Sequence, residues 1–337
     1  MKIECDIKYD FDDVLIKPKR SNAPSRKSVS LEREIIFPVS GVRWLGCPVI
    51  AANMYATGTF EMANVMCNNP HNMMVCLHKH YTDGQIIEYY RNNETKNVFY
   101  TTGIKDEDFE RIKKLSEYVN FRNICVDAAN GHTEYFVKRV RQIRDYFPSS
   151  VLMAGNVVTS EMVQELVLSA GVEIIKCGIG SGSVCKSRIV AGVGYPQLSC
   201  ILECSEAAHG LKAFVCSDGG CVYPGDLAKA FGAGADFVML GGMLAGHKEC
   251  SSETEFFGMS SEEAMNRFNG GVASYRASEG KSVKLESRGN VEKTLLDIQG
   301  GLRSACTYVG AEKLKHLGKC TTFLKVNRTH NKVFEGK

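Results

Sequence analysis

The segment Ile174-Ile175-Lys176-Cys177-Gly178-Ile179-Gly180-Ser181-Gly182-Ser183-Val184-Cys185-Lys186-Ser187-Arg188 presents a thiol where a nucleophile would be useful. An apolar, β-branched run enters a loop in which Gly178, Gly180 and Gly182 free the backbone to take positive φ and to approach a ligand or ion closely. Lys186 and Arg188 flank Cys185, and cations beside a thiol suit it to nucleophilic work, since the thiolate is the reactive form. The competing reading is a buried cysteine acting as a small hydrophobe. It suits most of the fourteen cysteines, including Cys76, Cys125 and Cys216 in apolar runs, but not a cysteine in a glycine loop.

Two glycine pairs lie in similar contexts, Ser217-Asp218-Gly219-Gly220 and Leu240-Gly241-Gly242-Met243. Paired glycines expose backbone N–H groups and form an anion cradle. Asp218 would repel a phosphate and instead suits ribose hydroxyls, so the pairs point to a nucleoside monophosphate. Asn53, His78-Lys79-His80 and Asp127-Ala128-Ala129-Asn130-Gly131 also end apolar runs. His78 and His80 would face opposite sides if their strand continued, which argues against a metal pair.

These residues need elements to converge them. Apolar runs at 48–52, 73–77, 98–101, 124–127, 151–154, 174–177, 213–216 and 236–240 alternate with amphipathic segments. Thr59, Asp106, Thr133, Thr159 and Pro224 are suited to open helices. Eight such repeats predict an α/β fold, a (β/α)8 TIM barrel, with an open doubly wound sheet as the alternative. In a barrel the chemistry lies at the C-terminal strand ends, with phosphate at the loops after strands seven and eight. Residues 1–46 form an N-terminal extension with a basic stretch over 17–27. Residues 249–290, polar and glycine-rich, form a flap insertion after strand 8, and Gly258-Met259-Ser260-Ser261 suits a ligand-contact turn. The chain is expected to be a single catalytic domain over 1–337.

Charged residues are 23% and the net charge is +3, which gives no electrostatic case for nucleic acid or a membrane surface. No run approaches the roughly 18 apolar residues of a membrane span, and the charged start Met1-Lys2-Ile3-Glu4 lacks a signal-peptide core. The cysteines include no Cys-x-x-Cys pair and no zinc spacing. The expectation is a reduced, cytoplasmic protein.

The sequence closely resembles the inosine-monophosphate dehydrogenase/GMP reductase family. The resemblance runs from Phe11-Asp12-Asp13-Val14-Leu15 to Thr321-Thr322-Phe323, through Ala51-Ala52-Asn53-Met54, Ala154-Gly155-Asn156-Val157-Val158-Thr159, the Cys185 loop, Gly192-Val193-Gly194-Tyr195-Pro196-Gln197 and Gly300-Gly301-Leu302-Arg303-Ser304. The chain has no room for the regulatory CBS domain pair of most dehydrogenases. Its flap resembles the reductase branch, in Tyr275-Arg276-Ala277-Ser278-Glu279-Gly280-Lys281 and Arg288-Gly289-Asn290-Val291-Glu292. The alternatives are an IMP dehydrogenase lacking the regulatory domain and a weakly catalytic purine-nucleotide-binding protein.

The resemblance implies an oxidoreductase: NADPH-dependent conversion of GMP to IMP and ammonia through a covalent thioimidate on Cys185, with Ser187 and Glu292 as the acid relay. It implies substrate contacts at Ser183, Asp218, Gly219, Gly220, Gly241, Gly242, Gly258, Met259, Ser260, Arg288 and Gly289. Cofactor contacts are implied at Ser25, Arg26, Lys79, Asp127, Ala128, Ala129, Ile179 and Gly180. His316, Leu317, Gly318 and Lys319 would reach the cofactor from a neighbouring subunit of a homotetramer. A potassium ion would be held by carbonyls of Gly180, Gly182 and Cys185, with Arg188 nearby. The sequence departs from the family loop at Ser181, Lys186 and Ser187, where proline and two threonines are usual, and from the family's cofactor-side pattern at Tyr55-Ala56-Thr57, Ala128, His132 and Gly318.

Overall fold

The computed structural model describes residues 2–22, 24–275, 277–327 and 329. Eight parallel strands close a barrel in chain order. They are β1 (Val49–Ala51), β2 (Met74–Cys76), β3 (Val98–Thr102), β4 (Asn123–Asp127), β5 (Val151–Val157), β6 (Ile174–Cys177), β7 (Phe214–Asp218) and β8 (Phe237–Leu240). β8 pairs with β1 from Val238–Val49 to Leu240–Ala51, which closes the ring and excludes the open sheet. The helices between and after them are α1 (Phe60–Met66), α2 (Asp83–Asn92), α3 (Asp106–Ser116), α4 (Glu134–Tyr146), α5 (Ser160–Ala170), α6 (Gln197–Gly210), α7 (Pro224–Gly232) and α8 (Glu292–Val309). Thr59, Thr133 and Thr159 cap α1, α4 and α5 by accepting from the N–H groups of Met62, Phe136 and Met162. Pro224 supplies the first residue of α7, where its missing N–H costs nothing.

Period-two alternation divides the core into two layers. Ile50, Met74, Cys76, Phe99, Cys125, Met153, Cys216 and Met239 fill the barrel interior. Val49, Val75, Val98, Ile124, Leu152, Ile175, Cys177, Val215 and Val238 face the helices. The interior is a packed core rather than a pore, so ligands are left the C-terminal face.

The N-terminal extension closes the other end. Strands Arg33–Ile36 and Arg43–Gly46 form an antiparallel hairpin. From it, Phe37 meets Phe214 edge-on at 5.5 Å and Phe237 at 6.5 Å, and Trp44 lies 5.5 Å from Phe237. Trp44 Nε1 donates to Asn97 Oδ1 at 2.9 Å, so the indole is buried without losing its hydrogen bond. Upstream, Val14–Ile16 pairs antiparallel with Phe323–Lys325, tying the two ends of the chain together. Among the described residues no helix is long and apolar enough to cross a membrane.

Beneath the barrel, Asp236 gathers His209 Nε2 at 2.8 Å and Arg33 at 3.0 Å. The hydrogen bond to Asp236 raises His209 above its ordinary value, against the opposing effect of burial. A raised folded-state pKa adds stability that is fully present below the unfolded value, about 6.5, and is lost as pH rises through the folded value. His209→Ala should therefore lower the unfolding midpoint relative to the parent more at about pH 6 than at about pH 9. Denaturant titrations at the two pH values check this, and an equal gap at both would contradict it.

Candidate active site

β6 ends at Cys177, and Gly178 turns the chain with φ +140; a Cβ there would lie 2.1 Å from the Asp218 carbonyl oxygen. Only glycine lets the loop pass this close to the end of β7. The loop then carries Cys185, half-buried, into a cleft of about 910 Å³ over the C-terminal face of the barrel. The Cys185 thiol donates to Ser187 Oγ at 3.4 Å, and the Ser187 hydroxyl donates to Glu279 Oε2 at 2.5 Å. Thiol, hydroxyl and carboxylate thus form a continuous proton path.

Glu279 comes from the insertion, which zips along the loop. Lys186 N–H donates to the Glu279 carbonyl at 2.6 Å, Lys281 N–H to Val184 O at 2.9 Å, and Cys185 forms an antiparallel bridge with Gly280. The insertion folds as a two-stranded sheet, Glu255–Phe257 with Ser282–Lys284, and a helix, Glu262–Asn269. Gly258, Met259, Ser260, Met265, Phe268 and Tyr275 roof the cleft. Arg276 lies outside the described residues.

Three expectations fail here. Glu292 is the first residue of α8, where its carboxylate meets His71 Nε2 at 2.8 Å and does not line the cleft. Glu249 accepts from Val291 N–H at 3.0 Å and fixes that turn in the helix layer. Glu279 occupies the position beside Ser187 instead. Arg288 and Gly289 also miss the cleft. The Arg288 guanidinium donates to Met243 O at 2.8 Å, and Gly289 O contacts His247 Nδ1 at 3.1 Å, so both brace the β8 loop from behind. Glu279 was legible only as a carboxylate near the flap's end, because nothing in its spacing ties it to Ser187.

Ser183, Asp218, Gly219, Gly220, Gly241 and Gly242 all line the floor. A Cβ on Gly219, whose φ is +98, would lie 2.5 Å from Ser181 Oγ, and one on Gly242 would lie 2.6 Å from Ser183 Oγ. The three loops therefore pack backbone against hydroxyl, leaving a glycine surface for an anion.

Below this floor lies a network that sequence reasoning missed. Lys176, on the interior face of β6 and 4% exposed, donates to Asp127 Oδ1 at 2.9 Å, Asn156 Oδ1 at 2.6 Å and Asp218 Oδ2 at 2.5 Å. The β5–β6 register slips between Gly155 and Val157, and Asn156 within that step donates to Asp218 Oδ2 at 2.9 Å and Gly178 O at 2.7 Å. Burial would lower the Lys176 ammonium, but Asp127 and Asp218 outweigh it and hold it well above its ordinary value. Burial likewise works against the Asp127 carboxylate, which Lys176 nevertheless holds below the usual range.

Lys79, Asp127, Ala128, Ala129, Ile179 and Gly180 line the flank of the same cleft, together with residues 101–105. β2 stops at Cys76, so His78 and His80 do not alternate as a continuing strand would require. Their rings lie 5.9 Å apart in one aromatic cluster, with Tyr55 5.1 Å from His78 and Phe268 of the lid stacked 3.6 Å from His80. Burial lowers His78 to about 3 and His80 to about 4, so both rings are neutral packing surfaces at neutral pH.

Gly180, Gly182 and Cys185 line the cleft, but Arg188 turns away, forming a bidentate pair with Asp10 at 2.7 and 3.1 Å. Its guanidinium therefore braces the N-terminal segment rather than facing the thiol. Ser25, Arg26, His316, Gly318 and Lys319 are exposed and line no part of this chain's cleft, and Leu317 is buried in the core.

The profile of the IMP dehydrogenase / GMP reductase domain matches residues 8–337. Proteins named GMP reductase from Yersinia pestis (strain Pestoides F) and Klebsiella pneumoniae are each 52% identical over 347 aligned positions, covering 99% of this chain and 99% of theirs.

Lys176→Met would leave two carboxylates facing each other without their cation. Breaking such a pair costs up to about 5 kcal/mol, and about 3 kcal/mol is expected here because both carboxylates open onto the cleft. Urea unfolding measures it. A loss under about 1 kcal/mol would mean that water satisfies Asp127 and Asp218 without the lysine.

Proposed function

The chain belongs to the IMP dehydrogenase / GMP reductase family, and we propose that it carries out the reductive deamination of GMP to IMP and ammonia with NADPH. The observation that carries this reading is the Cys185–Ser187–Glu279 path opening onto a glycine-lined floor. The relatives' name and the flap's reductase-like segments favour the reductase direction over dehydrogenation.

In this reading the glycines at 219, 220, 241 and 242, with Ser183, seat the phosphate, and Asp218 takes the ribose hydroxyls. The Cys185 sulfur attacks purine C2, forming a C–S bond. The C–N bond then breaks, and the amine leaves with a proton delivered through Ser187 from Glu279. Gly258, Met259 and Ser260 close over the base and exclude water. Bound NADPH supplies the hydride that lets carbon release the sulfur. Lys79, Asp127, Ala128, Ala129, Ile179 and Gly180 would hold that cofactor. The cleft fits it, since its volume of about 910 Å³ extends past Cys185 to Lys79 and Lys105, cations suited to its phosphates. The carbonyl oxygens of Gly180, Gly182 and Cys185 are hard donors suited to a potassium ion.

We extend the reading to a single catalytic domain in a cytoplasmic homotetramer. Ser30 N–H donates to Glu312 O at 3.1 Å and Leu314 N–H to Ser30 O at 2.9 Å, which gathers the segments after Ser25 and before His316 into one outer patch. From there Arg26, His316 and Lys319 would complete a neighbour's cofactor site. Lys319→Glu should raise KM for NADPH at least tenfold and leave KM for GMP nearly unchanged. A fully active monomer by light scattering would refute the shared site.

Absorbance at 340 nm should fall with GMP plus NADPH, and Cys185→Ser should abolish the change while nucleotide still binds. NADH formation from IMP with no reverse activity would instead assign a dehydrogenase. Glu279→Gln should slow deamination roughly 10²–10⁴-fold, the usual range for a general acid, while Glu292→Gln should cost little. Equal loss in both variants would return Glu292 to the relay.

A further inference from the structure

Cys177, Cys200 and Cys204 lie outside the proposed chemistry, yet their three sulfurs are all within 4.8 Å of one another. Cys177 projects outward from the end of β6, while Cys200 and Cys204 sit one turn apart on the inward face of α6. All three are fully buried. The set is invisible as a sequence motif because one member lies on a strand.

We propose that Cys177, Cys200 and Cys204 form a capture site for a trivalent, thiol-seeking metalloid of the arsenite or antimonite type. The argument is charge and coordination number. Zinc wants a fourth ligand, and among the described residues no histidine or carboxylate joins the group. Three thiolates on a divalent or monovalent ion would also leave net negative charge in a dry apolar layer, which is costly. Trivalent arsenic takes three sulfurs and ends neutral. The step is As(OH)3 plus three thiols giving As(SR)3 and three waters: three S–H and three As–O bonds break, three As–S and three O–H bonds form, and no atom changes oxidation state.

The site lies between a surface contact and the root of the catalytic loop. Glu203, next in chain to Cys204, is latched at the surface by the Tyr195 hydroxyl at 2.6 Å and by Ser160 N–H at 3.2 Å. Occupancy would reach the active site. Gln197 Nε2 spans Cys177 O and Ser217 Oγ at 3.1 Å each, and Gly178 begins the Cys185 loop. Drawing the Cys177 sulfur toward α6 shifts the root of that loop.

The test incubates the full-length protein with sodium arsenite under a phosphine reductant, then removes free arsenite. One arsenic per chain with three sulfur neighbours by X-ray absorption is expected, with turnover reduced at least tenfold. Cys204→Ala and the volume-keeping Cys204→Val should each bind at least a hundredfold more weakly and keep their turnover in arsenite. Arsenic retained equally by both variants, arsenic lost on Cys185→Ser, or none retained by the parent would each overturn the site. The binding measurement stands whichever substrate the enzyme turns over.

Discussion

Everything at the C-terminal face is organised around one buried cation. Lys176 reaches Asp127 of β4, Asn156 of β5 and Asp218 of β7, so three strand ends meet at its ammonium. A lysine at this depth is tolerable only because two carboxylates and an amide surround it. In return each carboxylate is fixed in direction, with Asp127 facing the flank and Asp218 facing the glycine floor. Two carboxylates on different sides of the cleft are therefore oriented by a single ammonium.

The second constraint is that the proton path is assembled from two parts of the chain. Cys185 and Ser187 belong to the barrel loop, and Glu279 belongs to the insertion. Backbone pairing between the two, rather than side-chain contact alone, sets the carboxylate within reach of the hydroxyl. The brace behind it is similar in kind. Arg288 carries the insertion's far end onto the β8 loop, tying roof and glycine floor together.

Residues whose role is local were legible in the sequence. Alternating apolar runs marked the eight strands, Thr59, Thr133 and Thr159 marked helix starts, and the glycine pairs marked the floor. Residues whose role depends on a distant partner were not. Lys176 looked like one polar residue in a strand, and its value comes from aspartates on β4 and β7. Glu279 and Glu292 carry the same group, and only the path of the flap decides which one meets Ser187. His78 and His80 illustrate a different failure: β2 ended earlier than their spacing suggested, and both rings joined the same cluster.

The hairpin carrying Phe37 and Trp44 has a consequence for the flow of molecules. With the lower mouth stoppered and the interior filled, the doorway the described residues leave to a ligand is the cleft at the C-terminal face. The insertion roofs that doorway and is stitched to the catalytic loop by backbone hydrogen bonds. The hydrogen bonds that bring Glu279 to Ser187 also hold the roof down, so the placing of the carboxylate and the covering of the cleft are one event.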